Sequence, residues 1–409
     1  MARNLNPVRR ITRGHGGRAP LLWMRLIGCL ALLTFSVAFS SGALFPSPVL
    51  SAQEASPVAE GATPSADPVA AAKARVEQAT AHVTTWDGPT TGPAAQEGKS
   101  IVYVSADQRN GGALGVGQGV EEAAQTLGWD LTVIDGQGTV TGQSAALSQA
   151  IALQPDGIVL GTVDATAQKT LVAQAAEQGI QIVGWHSAAD PGPQPDLNLF
   201  TNVQSDPVAT GTITADYVIA ESDGNAQVAI LTDSQYEIAI VKSTAMRDSI
   251  EACPGCAVLS YDDTPLSEVS TRMAPLTTSY LQRFGDDLNW ILGINDLYFD
   301  FSVPALSAAG VPPSGPPQFV SAGDGSVSAY ERVRAGQYQA ATIPEPLNLH
   351  GWQCLDELNR AFAGEEPSGY VTPVHLVTNE NIEFDGGPQN LFDPDNNYRD
   401  EYTRIWGVS

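Results

Sequence analysis

Residues 99–134 read KSIVYVSADQRNGGALGVGQGVEEAAQTLGWDLTVI and contain the pattern from which the fold follows. The apolar run Ile101–Val104 predicts a short strand, and Ala113–Leu127 has the spacing of an amphipathic helix. Leu131–Ile134 predicts a second strand, and the polar stretch 105–112 connects the first strand to the helix. A strand, a helix and a further strand at this spacing indicate a β–α–β unit, which is typical of parallel sheets.

The same alternation continues along the chain. Nine runs predict strands, namely Ile101–Val104, Leu131–Ile134, Gly157–Leu160, Ile180–Gly184, Val228–Leu231, Ala257–Ser260, Asn289–Gly293, Gln318–Ser321 and Ala340–Ile343. These runs are apolar throughout, as expected for strands that helices cover on both faces. Their number favours two doubly wound parallel-sheet lobes over a single oversized sheet. In such sheets ligands bind at the carboxyl ends of the strands.

The charge of the chain excludes some functions. Its 409 residues include 20 Lys and Arg against 45 Asp and Glu, a formal charge of −25. The first 52 residues contain six Arg and no acidic residue, so 14 basic and 45 acidic residues remain beyond them. A surface this acidic repels phosphate backbones, and we expect no nucleic-acid partner.

The N-terminus predicts export to the periplasm or the outer cell surface. A cationic region precedes the apolar run Leu26–Phe39, which is shorter than the roughly 20 residues of a membrane-spanning helix. We therefore predict an export signal over residues 1–52, with an uncleaved anchor as the alternative. Residues 53–98 are rich in Ala, Pro and Thr and predict a flexible tether, in which 70–85 could instead form a surface helix.

Polar and aromatic side chains follow the predicted strands. The candidate ligand-binding residues are Asp107, Arg109, Asn110, Trp185, His186, Gln235, Tyr236, Asn295, Asp296, Asp324 and Glu345. Amide, carboxylate and guanidinium groups suit the hydroxyls of a small polyhydroxylated ligand, and aromatic rings suit its C–H faces. The alternative is that these residues only end strands and cap helices.

The order of several short motifs resembles a known family. The motifs are Gly119–Ala124 with Leu127–Trp129, Leu153–Ile158, Asn202–Pro207, Gly293–Asp296, Ala322–Gly325, Ala341–Glu345 and Leu355–Ala361. Together, residues 99–382 resemble the ribose-binding type of periplasmic solute-binding protein. The resemblance implies a monomer that captures a sugar or polyol between two lobes and delivers it to the permease subunits of an ABC importer. It also implies a three-crossing hinge, a first lobe of residues 99–202 plus 346–378, and a second of 203–345 plus 379–409.

The resemblance places Asn110, Asn295, Asp324 and Glu345 among the sugar ligands. Two departures argue against ribose itself. The chain has Trp185-His186 where ribose binders have Asp-Arg, and Lys242 is the one basic residue near their second-lobe arginines. The alternatives are a non-sugar ligand such as a furanone, a nucleoside or an acidic metabolite; presentation of the ligand to a membrane sensor; and a secreted carbohydrate-active enzyme.

Two further expectations concern aromatic and sulfur chemistry. Trp185 ends an apolar strand, so we expect its ring to stack on a sugar in the crevice, the alternative being that it packs the hinge. Cys253 and Cys256, three residues apart, predict a small structural disulfide, and Cys354 a buried free thiol. The chain shows no catalytic, cofactor or metal motif, and we expect none of these functions.

Overall fold

The computed structural model describes residues 67–408, which contain two six-stranded sheets, one in each lobe. The strands of the first sheet are β1 (Ser100–Ser105), β2 (Asp130–Asp135), β3 (Gly157–Gly161), β4 (Gln181–Trp185), β5 (Gly192–Gln194) and β6 (Leu199–Val203). They lie in the order β2-β1-β3-β4-β6-β5, and every neighbouring pair is parallel except β5 with β6.

The second sheet repeats this architecture. Its strands are β7 (Gln227–Thr232), β8 (Ala257–Asp263), β9 (Trp290–Gly293), β10 (Gln318–Ser321), β11 (Gln339–Thr342) and β12 (Val377–Thr378). They lie in the order β12-β11-β10-β9-β7-β8, and only β12 runs antiparallel to its neighbour.

Helices flank both sheets. They are α1 (Pro68–Ala79), α2 (Gly111–Leu127), α3 (Val140–Ala152), α4 (Lys169–Glu177), α5 (Pro207–Glu221), α6 (Glu237–Glu251), α7 (Val269–Phe284), α8 (Leu297–Ala308), α9 (Val327–Ala335), α10 (Leu347–Ala363), α11 (Ile382–Asp385) and α12 (Tyr398–Trp406). The predicted fold class, two doubly wound lobes of mostly parallel strands, is confirmed.

The apolar character of the strands follows from burial on both faces. Ile101 and Tyr103 of β1 pack in one core with α2 and α10. Val102 and Val104, which point to the opposite face, pack in a second core with α3 and α4. Because both faces are covered, neither set of alternating residues needs to be polar.

Residues 67–98, here called the N-terminal strap, pack against both lobes. Its helix α1 lies on α5 of the second lobe, where Arg75 donates hydrogen bonds of 2.6 and 2.7 Å to Asp216. Trp86 then packs against Tyr402 in the first lobe. Residues 67–98 therefore do not form the expected flexible tether, and α1 agrees with the alternative of a helix within residues 70–85.

The composition of the strap explains that error. Ala72 and Ala79 are small enough for α1 to approach the second lobe closely, and both are buried in its core. A segment rich in alanine looks like a linker in composition, although here its small side chains allow close packing. The rest of the expected tether, and the whole expected signal over residues 1–52, lie outside the described residues.

The chain passes between the lobes after β6 and after β11, as expected, and a third time before β12, whereas that third crossing was expected after residue 378. The strap and the segment before α12 make two further passages. The expectation that residues 379–409 belong to the second lobe is wrong for α12, because Tyr398, Tyr402 and Trp406 pack in the first lobe's core. Likewise β12, expected in the first lobe, pairs with β11 in the second.

Among residues 67–408, none of the helices is long and apolar enough to cross a bilayer.

Candidate functional site

A small cavity of about 20 Å³, here called the cleft cavity, lies between the lobes at the carboxyl ends of both sheets. The first lobe contributes Ala106, Asp107, Asn110, Ala113, Gly138 and Thr162, and the second contributes Tyr236, Leu266, Ser267 and Leu297. The structure therefore brings Asp107, Asn110 and Tyr236 of the predicted site together. Parallel strands in both sheets place these residues at one level, as expected for doubly wound lobes.

Asn110 is also the N-cap of α2. Its side-chain oxygen accepts hydrogen bonds from the backbone N–H groups of Gly112 and Ala113, at 2.9 and 3.1 Å. The alternative role in capping therefore holds for this oxygen, and the residue still lines the cleft cavity. Asp107 pairs with the exposed Arg109 at 2.8 Å, so the charges of these two residues offset each other at the cleft.

Two hydrogen bonds connect the lobes beside the cleft cavity. The Gln143 side chain of the first lobe donates to the Tyr236 hydroxyl at 3.2 Å. The backbone N–H of Glu237 donates to the Asp164 carboxylate at 3.3 Å. Burial raises the pKa of Tyr236 to about 12, so its hydroxyl stays protonated at neutral pH.

Four buried side chains from both lobes form a second group, here called the charged cluster: His186, Lys242, Asp324 and Glu345. His186 Nε2 lies 3.2 Å from Glu345 Oε1, and its Nδ1 lies 4.0 Å from Asp324. Lys242 Nζ lies 3.8 Å from the same Glu345 oxygen and donates to the Ala322 carbonyl at 2.9 Å. Asn295 donates to Asp324 at 2.7 Å.

The two carboxylates of the charged cluster differ in the direction of their pKa shifts. Burial by itself raises the pKa of Glu345, but the charge and hydrogen bond of His186, with Lys242 and His350, outweigh it and hold that pKa well below its usual range. Burial raises the pKa of Asp324 despite the opposing effects of Lys242 and His186. Glu345 is therefore the firmly ionised member of the pair.

Glu345 also connects the charged cluster to the hinge. Its second carboxylate oxygen accepts from the Ser205 backbone N–H at 3.1 Å and lies 3.6 Å from His350 Nδ1. The Ser205 and His350 side chains both contact the Thr372 hydroxyl, at 2.8 and 2.7 Å. Burial lowers the pKa of His350 to about 4, so this ring is neutral at pH 7.

Trp185 occupies the position expected for a hinge-packing residue, not for a residue in the crevice. Its side chain is fully buried in the first lobe's core, and its Nε1–H donates to His350 Nδ1 at 3.0 Å. The ring stacks on His186 at 4.0 Å between centroids. Because β4 and α10 enclose the ring, the expectation that it projects into the crevice is wrong for this conformation.

Another predicted residue, Asp296, lines a groove between the lobes, but its hydrogen bonds lie within the second lobe. The Asp296 carboxylate accepts from the backbone N–H groups of Gly325 and Ser326 and from the side chains of Gln339 and Thr342, so it supports the second lobe's loops. Burial raises the pKa of Asp296 to about 6.

Gln235 is exposed and bonds to Asp233 within its own loop. The structure therefore does not bring its side chain to the cleft cavity.

A larger groove of about 480 Å³ runs from the cleft towards solvent. Arg109, Asn295, Asp296 and Asp324 line it, together with the first turns of α2 and α8. Leu297 lines both this groove and the cleft cavity. Four of the eleven predicted residues therefore line the groove, and three others, Asp107, Asn110 and Tyr236, line the cleft cavity.

Several residues of these groups were not among the predicted site residues. Lys242 was identified only as the one basic residue near the second-lobe arginines of ribose binders, because its distance from Asp324 and Glu345 depends on how the second lobe folds. Thr162 directly follows β3 and could have been found by the rule that identified the other strand ends. Gln143 and His350 lie within helices, where sequence gives no sign that they face another element.

The sulfur chemistry is separate from the cleft. Cys253 and Cys256 form a disulfide at the end of α6, and Cys354 is a buried free thiol in α10. Within residues 67–408 there is no group of three or more His, Cys, Asp and Glu side chains arranged to hold a metal ion.

Comparison with solved structures shows which folds are similar. The glucose-galactose binding protein GanP from Geobacillus stearothermophilus is 18% identical with a TM-score of 0.62, over 70% of this chain and 99% of that one. An ABC transporter solute-binding protein from Agrobacterium vitis, bound with α-D-tagatopyranose, is 18% identical with a TM-score of 0.64, over 72% and 99%. The binding protein of the arabinose ABC transporter from Shewanella sp. ANA-3 is 18% identical with a TM-score of 0.60, over 75% and 95%.

Sequence comparison assigns the family. No curated protein matches the chain. A family model described as the periplasmic binding protein domain matches residues 101–366, which include both sheets up to β11, the charged cluster and the cleft cavity. The chain belongs to the family of periplasmic binding protein domains.

Proposed function

We propose that this protein is an exported substrate-binding protein that captures a small polar solute, a monosaccharide or polyol, between its lobes and delivers it to an ABC transporter. Family membership supports the two-lobed capture mechanism. The similar structures named for glucose-galactose, arabinose and tagatopyranose support a sugar as the solute. The arginine-rich start of the chain supports export.

One observation carries the proposal: polar side chains from both lobes converge on the cleft cavity at the strand ends. Asp107, Asn110 and Thr162 come from the first lobe, and Tyr236 and Ser267 come from the second. A solute held there contacts both lobes at once and therefore favours the closed conformation over the open one.

One buried polar atom at the cleft cavity gives a reason for a hydroxylated solute. Thr162 Oγ1 has no hydrogen-bond partner in the part of the chain that the structure describes. A buried polar group without a partner costs about 1–3 kcal/mol, which a solute hydroxyl would recover by bonding to it. Thr162 lines the cleft cavity directly.

Binding requires the lobes to move. A cavity of about 20 Å³ is far smaller than the roughly 300–1,000 Å³ of ordinary small-molecule sites. Entry of a sugar therefore breaks the bonds from Gln143 to Tyr236 and from Glu237 to Asp164, and closure around the solute follows. The donor and the acceptor of each broken bond can then bind the solute.

A thermal-shift screen over pentoses, hexoses, polyols and nucleosides tests the proposal. A solute at 100 times its Kd adds about 2.7 kcal/mol to the free energy of unfolding, which raises Tm by several degrees. We expect at least one sugar or polyol to do so, and a Thr162→Val variant to shift less with the same solute. A shift with nucleosides alone would replace the sugar by a non-sugar ligand, and no shift with any compound would contradict capture of these solutes. Chromatography of the recovered sugar should show that the protein has not converted it to another compound, as a carbohydrate-active enzyme would.

A further inference from the structure

A cavity of about 540 Å³, here called the hinge cavity, lies where the chain passes between the lobes. Its walls are mostly apolar. Every passage contributes to them: the strap with Ala81 and Val83, the start of α5 with Ala209, the start of α10 with Pro346, the segment before β12 with Thr372, and the segment before α12 with Phe392. The hinge cavity is thus built from the moving parts of the hinge.

The hinge segments separate this cavity from the cleft. Glu345 belongs to the charged cluster, and the next residue, Pro346, lines the hinge cavity. Ser205 bonds to Glu345 through its N–H and to Thr372 through its hydroxyl, and Thr372 lines the hinge cavity. The hinge cavity shares no lining residue with the cleft cavity or the groove. The hydrogen-bonded hinge segments therefore lie between the hinge cavity and the cleft, and each of these two spaces borders both lobes.

The strap can follow a movement of the lobes. Its helix α1 is held on the second lobe by Arg75 and Asp216. Its later part is held on the first lobe, where the carbonyl of Thr91 accepts from Arg360. Residues 81–85, between these two anchors, form neither helix nor strand. A linker of five such residues adjusts its shape without breaking either anchor.

We propose that the hinge cavity is the space into which the lobes move when the cleft opens, so that its volume limits how far the cleft can open. When two bodies rotate about a line of contact, one side widens as the other narrows. Filled protein interiors resist compression. A bulky side chain in the hinge cavity therefore holds the cleft closed, whereas a bulky side chain in the cleft holds it open. The proposal rests on the lobe movement of the proposed function.

A pair of wedges tests this proposal in ligand-free protein. At Gly112 a Cβ atom would come within 2.4–2.6 Å of the Asp324 side chain across the cleft, so Gly112→Phe should force the lobes apart. Ala209→Trp fills the hinge cavity. Val208→Trp is the matched control, since Val208 is the preceding residue of α5, is 53% exposed and does not line that cavity. Small-angle scattering measures the radius of gyration of each monomer.

We expect Gly112→Phe to have a larger radius than the parent, and addition of Ala209→Trp to reduce it towards the parent value. Addition of Val208→Trp should leave the larger radius unchanged. A double variant as large as Gly112→Phe alone would overturn the role of the hinge cavity and leave the capture mechanism intact. A Gly112→Phe protein no larger than the parent would contradict lobe opening itself. If Ala209→Trp does not fold, Ala81→Trp takes its place with the same expected result, because Ala81 is an exposed residue of the strap that lines the same cavity.

Discussion

The charged cluster and the cleft cavity both lie between the lobes, but their side chains and hydrogen bonds differ: the cluster consists of ionisable groups, and the cavity is lined mostly by neutral side chains. In the charged cluster His186 and Lys242 both contact Glu345, and all three side chains are almost completely buried. At the cleft cavity Thr162 lacks a partner among the described residues, and Tyr236 reaches one side chain of the opposite lobe.

This difference assigns two functions to the interface between the lobes: the charged cluster stabilises the closed hinge, and the cleft cavity binds the solute. Groups that already satisfy one another stabilise the closed hinge and have little left to offer a solute. Groups that face the cavity with unused hydrogen-bonding capacity give up little when a solute binds. Variants of the charged cluster should therefore change stability more than affinity, and variants of the cleft cavity should do the reverse.

The largest effect is expected for Trp185→Ala. This variant tests whether Trp185 contributes to stability, like the charged cluster, or to affinity, like the cleft cavity. Its ring supports His186 and bonds to His350 inside the first lobe. Removing a fully buried Trp costs about 3–5 kcal/mol of the free energy of unfolding. Urea denaturation should show that loss, while the folded fraction keeps the parent Kd for the solute found by thermal shift. A stable variant with much weaker binding would restore the stacking role.

Next comes Glu345→Gln, which leaves Lys242 without its buried counter-charge. Breaking a buried ion pair costs roughly 3–5 kcal/mol, and we expect about 3 because glutamine keeps one acceptor oxygen. The control is Glu331→Gln, which removes a carboxylate that is exposed in the structure. Equal urea midpoints for the two variants would show that the charged cluster does not stabilise the closed hinge.

Acid should weaken the same region. The pKa of His350 is lowered from 6.5 to about 4 in the folded protein, so the unfolded chain binds a proton first as the pH falls. Stability is therefore lost from about pH 6.5 down to pH 4, and by pH 5 the loss is about 2 kcal/mol. The low pKa of Glu345 adds a loss of the same sign at lower pH.

This loss is measured as the difference in the free energy of unfolding between the parent and His350→Gln, at pH 8 and pH 5. The difference is needed because burial raises the pKa of Glu357 to about 7 and that of Asp296 to about 6. Those carboxyls bind protons in the folded state first, so they stabilise it as the pH falls. Parallel pH profiles for parent and variant would contradict the role given to His350.

The smallest change in stability is expected at the cleft cavity. Tyr236→Phe removes the hydroxyl that bonds to Gln143, which is worth about 0.5–1.5 kcal/mol. The affinity for the solute should fall by roughly 3- to 10-fold if the freed hydroxyl binds it. Tyr261→Phe is the control, because the Tyr261 hydroxyl bonds to Ser243 within the second lobe. Equal affinities for both variants would remove Tyr236 from the binding site.

Periodicity was sufficient for most of the fold, because strands buried on both faces are apolar at every position. The predicted runs correspond to nine of the twelve strands, and β5, β6 and β12 were missed. β5 and β12 have only three and two residues, too few for any pattern to be visible. The strap was misjudged because alanines in a linker and alanines in a close helix contact are identical in composition.

The sequence indicated where several candidate residues lie, but not what they do. The strand-end rule selected Asn110, Tyr236 and Glu345, and the structure places all three between the lobes. It could not separate them, because whether Glu345 meets Lys242 or a solute depends on side chains that are about 100 residues apart and meet only in the folded protein. The same limit applied to Trp185, whose burial depends on α10.

The most direct test of the central claim, that a solute binds between the lobes against residues of the cleft cavity, is titration calorimetry with Asn110→Ser. Serine and asparagine are about equally good N-caps, so α2 keeps its capping bonds while the amide group at the cavity is lost. With the sugar that gives the largest thermal shift, we predict a Kd at least about 10-fold higher than that of the parent and a Tm within a few degrees of it. An unchanged Kd in this stable variant would contradict binding at the cleft cavity.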